Sequence, residues 1–333
     1  MPNPLAPLTD KFNKLMGAPF VLRLKQQAFG LVEDFWKDGP ENLFKLDLGL
    51  KLPGGLAHHM RKEPIDLAAH PSHPQVSRGP LAPWHAEAGE ISEKMWGEGF
   101  VTPGGNTINT MLIKPLGLTK DMNVLDLSAG LGGGMRRTME ETGATITALE
   151  PDAAIAVRGM QLSVKAGKGK TAPIAHYDPA KLMLNRAYDC VIARETFYRL
   201  PDRASFLAVI TKHTRAQAQI AYTDYIVDLE HRDNSALRTW KNFEKHANPL
   251  GLVESAEFWA KAGFSLRVHE DLTDFYKAEV MVGMKRLMEF LASGTRPDPE
   301  TSIAVLRRIE TWKHRLAAMN AGMKFYRFYG TKH

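Results

Sequence analysis

The feature that most constrains this chain is the run Val124-Leu125-Asp126-Leu127-Ser128-Ala129-Gly130-Leu131-Gly132-Gly133-Gly134. A short apolar stretch feeds a glycine-rich turn, and helix-forming residues follow. Glycine takes positive φ without a Cβ clash and lets a ligand come close to the main chain. A helix opening on such a turn offers unpaired N–H groups to an anion. The next apolar stretch ends at Ala148-Leu149-Glu150-Pro151-Asp152, which puts Glu150 20 residues past Gly130. That interval suits one strand–helix–strand unit, and an acid at the end of the second strand can accept both hydroxyls of a ribose.

Around this run the sequence alternates between strand and helix. Strands are expected at 123–127, 145–149, 173–175, 188–193, 217–223 and 265–269, with an aromatic-rich strand at 323–331 closing the chain. Helices are expected at 133–141, 153–166, 278–291 and 300–319. Alternation of this kind predicts an α/β fold, a Rossmann-like seven-stranded and mostly parallel sheet with helices on both faces. Upstream, a helical pattern runs from Asp10 through Phe12, Leu15, Phe20, Leu24, Phe29 and Phe35. Residues 52–85 are rich in Pro, Gly and His without periodicity and read as an arm. Residues 86–120 read as helix interrupted by Gly97-Glu98-Gly99 and Pro103-Gly104-Gly105. The expected division is a helical extension and arm over 1–90 and a catalytic domain over 91–333.

Composition excludes several classes. The chain has 333 residues and a single cysteine, Cys190, so neither a disulfide framework nor a thiolate-rich metal site is available. Cys190 sits in an apolar run and reads as a buried thiol. His58, His59, His70, His73 and His85 lie in a Pro-rich stretch with no accompanying acid pattern, and no metal site is expected. A net charge of +6 without a block of Lys and Arg predicts no nucleic-acid partner. No apolar stretch is long enough for a transmembrane helix and no signal peptide is visible, so a cytoplasmic setting is expected.

The glycine loop with its downstream acid is shared by two cofactor classes. A nicotinamide enzyme places pyrophosphate on the loop, whereas a methyl-donor enzyme places a methionine carboxylate there. Asp126, two residues before the loop, is positioned to hold a cationic group directly or through the loop. That favours S-adenosyl-L-methionine.

The segments 124–134 and 148–150 resemble motifs I and II of class I S-adenosylmethionine-dependent methyltransferases. A closer resemblance is to the phosphoethanolamine N-methyltransferases. It rests on Trp96-Gly97-Glu98-Gly99-Phe100-Val101-Thr102-Pro103-Gly104-Gly105, the triple glycine Gly132-Gly133-Gly134, Thr223-Asp224-Tyr225, Ala262-Gly263-Phe264, Asp271-Leu272-Thr273-Asp274, and the final segment Met323-Lys324-Phe325-Tyr326-Arg327-Phe328-Tyr329. The likeness covers roughly residues 92–333. It implies that Gly130 and Gly132 line the methionine moiety, that Glu150 binds the ribose, that Asp178 reaches the adenine amino group, and that Arg194 and Glu195 lie beside the sulfonium. Asp126, Ser128, Ala129, Pro151 and Tyr177 are further candidate cofactor-binding residues. Two departures stand out. Arg199 replaces the histidine that the family carries after its fourth strand, and 231–252 does not reproduce the family's Arg/Tyr-rich phosphate-binding stretch.

Methyl transfer asks mainly for positioning and desolvation, because the methyl group is already activated. Candidate catalytic residues at the strand ends are Glu195, Tyr198, Arg199, Asp224 and Tyr225. Asp224 and the aromatic rings suit a cationic amine, and Arg199 suits a carboxylate or phosphate. Tyr198 and Tyr225 read equally as packing residues. The expected activity is methyl transfer to a small or lipid-like acceptor, with an amine or thioether favoured. The alternative is a methyltransferase-fold interaction module with weak or no catalysis. The N-terminal extension is a candidate lid, homodimer surface or docking element.

Overall fold

The computed structural model of the protein describes residues 83–292 and 299–333. The expected N-terminal helix, most of the Pro/His-rich arm, and His58, His59, His70 and His73 lie outside the described residues. Among the described residues, no helix is long and apolar enough to cross a membrane.

Two helices precede the sheet, α1 (Pro83–Trp96) and α2 (Gly105–Ile113). The glycines expected to interrupt the helical pattern fall between them, and α1 straddles the expected domain boundary at residue 90. The alternating region follows as β1 (Asn123–Asp126), α3 (Gly133–Thr142), β2 (Thr145–Glu150), α4 (Ala153–Lys165), β3 (Ile174–His176), β4 (Tyr188–Arg194), α5 (Arg203–His213) and β5 (Thr214–Ile226). Then come α6 (Ser235–Phe243), α7 (Leu252–Ala260), β6 (Phe264–Asp271), α8 (Thr273–Ala292), α9 (Pro299–Asn320) and β7 (Lys324–Lys332). The strand order is β3-β2-β1-β4-β5-β7-β6. The pairings from β3 to β5 are parallel, and β7 runs antiparallel between β5 and β6. This is the expected fold class.

Most elements match their expected bounds within a residue or two. Strand β5 is longer at both ends: its N-terminal half absorbs an irregularity, and its C-terminal end pairs with β7 as far as Ile226. Its register against β4 shifts between Tyr188 and Cys190, and Gln217 takes φ 63° there. A bulge of this kind breaks the alternation that sequence reading follows.

The sheet separates two layers of core. Phe325 and Phe328 are an odd number of residues apart on β7 and so face opposite sides. Phe325 joins Trp96, Trp240, Tyr276 and Trp312 on one side. Phe328 joins Phe197, Phe206, Tyr222 and Trp259 on the other. The first layer is roofed by α1, α8 and α9, with Trp96 meeting Trp312 edge-to-face at 5.1 Å. Close approach of α8 to α1 requires Gly283, since a Cβ there would stand 1.9 Å from the Trp96 ring.

Gly283→Val should therefore cost about 2 to 3 kcal/mol by overpacking this roof. Urea unfolding of the variant and wild type checks it. A loss below about 0.5 kcal/mol would mean that α8 does not pack on Trp96 in this way.

Candidate active site

The carboxyl ends of β1, β2 and β4 open onto a cleft of about 560 Å³, counted to its open mouth. Ser128, Ala129 and Gly130 of the glycine turn, Glu150 and Pro151 at the end of β2, Arg194 at the end of β4, and Thr196 and Arg199 beyond it line the cleft. Gly99, Phe100, Val101 and Thr102 close it from above. Those four come from the stretch whose likeness to the phosphoethanolamine N-methyltransferases was apparent in sequence. Its proximity to the glycine turn is a tertiary fact.

Glycines make that contact possible. The Gly133 N–H donates to the Gly99 carbonyl at 3.0 Å, and a Cβ on Gly99 would lie 2.7 Å from Gly133 Cα. Gly130 has φ 56°, and a Cβ on it would lie 2.9 Å from Val101. Helix α3 begins on Gly132, which is left-handed at φ 80° and provides no side-chain cap. The first amides of a helix have no intrahelical partner. Gly134 and Met135, in that first turn, both line the cleft.

Glu150 is the acid of the cleft and is 7% exposed. Its carboxylate accepts from the Gly130 N–H at 2.8 Å and the Asp152 N–H at 3.0 Å, tying the two loops together. Burial raises its pKa to about 7, and the hydrogen bonds from Asp152 and Gly130 offset only part of that rise.

Asp126 stands behind the cleft rather than in its wall. It accepts from the Ser128 N–H at 3.0 Å and pairs with Arg194 Nη1 at 3.0 Å. Arg194 in turn donates to Asn109 Oδ1 of α2 at 2.6 Å, and its own N–H donates to Ser128 Oγ at 2.7 Å. Sequence reading missed Asn109, because an α2 residue carries no signal of contact with a strand 85 positions later. Three other expected cofactor residues also stand apart from the lining. Gly132 caps α3, Tyr177 donates to the Leu127 carbonyl at 3.1 Å, and exposed Asp178 accepts from the Ala180 N–H at the head of a short turn.

Of the candidate catalytic residues, only Arg199 lines the cleft. It donates to the Glu195 carbonyl at 3.2 Å and lies over the Tyr198 ring. Asp224 is buried and accepts from the N–H groups of Phe197, Tyr198 and Tyr225. It clamps the turn after β4, and burial raises it to about 7 against those bonds.

Glu195, Tyr198 and Tyr225 meet in a buried aromatic chamber beside the cleft. Glu195 is 2% exposed and holds φ 51°, a left-handed conformation uncommon for a non-glycine residue. It accepts from Tyr276 at 2.6 Å, Tyr225 at 3.2 Å and Arg315 of α9 at 2.9 Å. Arg315 also pairs with Glu244, which accepts from Tyr198 at 2.9 Å and from Trp240 Nε1 at 2.8 Å. Burial acts to raise the Glu244 carboxyl, but the Arg315 charge and the hydrogen bonds from Arg315 and Trp240 outweigh it and hold it at about 2. Arg315, Glu244 and Tyr276 were not legible as site residues: Arg315 lies on a helix that read as amphipathic packing, and Glu244 and Tyr276 fall in no motif.

Residues 107–269 match the model of the methyltransferase domain family. The match takes in just under half of the chain and likens that part to a methyltransferase domain. Phosphoethanolamine N-methyltransferase 1 of Zea mays is 21% identical over 235 residues, covering 69% of this chain and 45% of that protein. The chain spans about half the length of the curated relatives it matches. A solved structure of phosphoethanolamine N-methyltransferase 2 of Haemonchus contortus with S-adenosyl-L-methionine aligns at TM-score 0.63 and 19% identity, covering 74% of this chain and 57% of that one. Geranyl diphosphate C-methyltransferase of Streptomyces coelicolor aligns at 0.53 and 10% identity, covering 77% and 100%. Neighbours so different in their named acceptors share the fold alone, and any acceptor of this chain has to be argued from its site.

The cleft suits the cofactor in its donor set. It offers a buried acid for hydroxyls, a glycine cradle that a Cβ would fill at Gly130, and a helix start with Arg194 nearby for a carboxylate. Hydroxyls donate to the ionised form of Glu150, so binding should lower its pKa and release a proton. Affinity for S-adenosylhomocysteine should then fall about tenfold from about pH 8 to about pH 6 and flatten above. Calorimetry across that range checks it. Glu150→Gln should bind more weakly with the pH slope removed, and an unchanged slope would place the titration elsewhere.

Proposed function

We propose that the chain is an enzyme that transfers a methyl group to a small amine, with Glu195 beside the acceptor nitrogen. The observation that carries this reading is the position of Glu195. It directly precedes Thr196 of the cofactor cleft, yet turns its carboxylate into the neighbouring chamber of aromatic rings. A carboxylate among tyrosine and tryptophan rings attracts an ammonium group by charge and by cation–π contact. The curated relatives, named as phosphoethanolamine N-methyltransferases, support the same acceptor class.

S-adenosylmethionine, when bound, supplies a methyl group on a sulfonium that needs no further activation. The residues of the chain bind, orient and exclude water. Glu150 accepts the ribose hydroxyls, the first turn of α3 and Arg194 receive the methionine carboxylate, and the 99–102 segment covers the cleft. Glu195 holds the acceptor nitrogen and takes its proton. Arg199, at the boundary of cleft and chamber, faces an anionic part of the acceptor.

One observation favours the alternative of an interaction module. Arg315 occupies the chamber, donating to Glu195 and to the Tyr225 and Tyr198 hydroxyls. A turnover assay decides between the two. Radiolabelled methyl transfer to a panel of small primary, secondary and tertiary amines should reveal an acceptor. Glu195→Gln should lower kcat/KM about 100-fold or more while S-adenosylhomocysteine still binds. Cofactor binding without transfer to any amine would sink the amine reading.

A further inference from the structure

Arg315 donates through all three of its guanidinium nitrogens. Nε and Nη2 reach Glu244 at 2.5 and 2.9 Å, Nη2 reaches the Tyr198 hydroxyl at 3.1 Å, and Nη1 reaches Glu195 at 2.9 Å and the Tyr225 hydroxyl at 3.0 Å. Its guanidinium lies 4.7 Å from the Trp312 ring and 5.3 Å from the Tyr225 ring. Two carboxylates, two hydroxyls and aromatic rings therefore surround one positive group. These are the elements that recognise an organic cation.

The surroundings are built for more than one internal ion pair. Two carboxylates face a single guanidinium, with Arg199 and Arg308 as the further cations nearby. The chamber adjoins the methyl-donor cleft through Glu195, Thr196 and Arg199. A buried ion pair is costly to desolvate and is often replaceable by apolar packing without loss of stability. Its presence beside a catalytic cleft calls for another explanation. The strained backbone of Glu195 marks the same spot.

We propose that this chamber is a binding site for a small organic cation and that Arg315 is its resident competitor. Arg315 reaches the chamber from α9, outside the parallel core, so a cationic acceptor enters as α9 withdraws the guanidinium. The inference rests on the amine reading above and gives that site a gate. It also accounts for a buried chamber in a catalytic chain. Without acceptor, Arg315 pairs with Glu195 and Glu244 and occupies the chamber.

The probe is tetramethylammonium, a cation that cannot be methylated, added to the chain saturated with S-adenosylhomocysteine. Tryptophan fluorescence reads binding, because Trp240 and Trp312 border the chamber. Arg315→Gln should bind the probe at least about tenfold more tightly than wild type, since no competitor has to leave. Adding Glu195→Gln to it should remove that gain. In the wild-type chain, saturating probe should speed amide exchange along Pro299–Asn320, an effect that a purely structural Arg315 would not produce. Equal affinity in the two chains, or unchanged exchange in the saturated wild type, overturns the proposal. If Arg315→Gln fails to fold, the wild-type exchange decides alone. Probe binding with release of α9 but no amine turnover would leave the cation site standing and remove the amine reading. Amine turnover without release of α9 would do the reverse.

Discussion

The ion pair between Asp126 and Arg194 is the interaction on which the rest of the site depends. It joins the ends of two adjacent parallel strands, β1 and β4, just where the chain leaves the sheet. Asp126 is 2% exposed, and a carboxylate that deep is tolerable only with partners. It finds them in Arg194 and in the Ser128 N–H, so the charge that would destabilise the strand end fixes the glycine turn instead. Arg194 extends the connection to Asn109, and Asn109 reaches the Gly134 carbonyl and Thr138 of α3. One buried charge pair thereby links two strands, a turn and two helices.

The same logic repeats along the carboxyl edge of the sheet. Glu150 at the end of β2, Glu195 after β4 and Asp224 in β5 are all buried, and each accepts backbone or side-chain donors. Asp224 holds three amides and serves the turn that follows β4, whereas Glu150 keeps its place in a cleft wall. A parallel sheet brings its strand ends together, so acids scattered over about a hundred residues of sequence collect at one edge. Their environments then separate their roles. Glu244, facing Arg315, is held acidic at about 2, whereas burial raises Glu150 to about 7.

The roof over this edge is aromatic. Trp96, Trp312, Tyr276 and Phe325 pack across α1, α8, α9 and β7, and the Tyr276 and Phe325 rings stack at 3.7 Å. Tyr276 belongs both to this packing and to the hydrogen bonds of Glu195. Roof and site are continuous, and a change in how α9 packs is felt at Glu195 through Arg315.

Local sequence determined the parallel sheet, the glycine turn and the acid that faces it. These follow from the alternation of short apolar runs with helical segments, from Gly130 and its neighbours, and from the spacing to Glu150, all of which lie within about thirty residues. The resemblance of 96–105 to a known segment marked it as important without saying where it would sit. Tertiary structure alone decided that Gly99 to Thr102 lie on the turn, that Asp126 spends its charge on Arg194, and that Tyr177 and Asp178 stand apart from the cleft. It also decided that β7 inserts between β5 and β6 and that Arg315 enters the chamber of Glu195. The physical reason is range. Turn chemistry and periodicity act between near neighbours, whereas the partner of a buried charge is whichever group the packing of distant helices brings within about 3 Å.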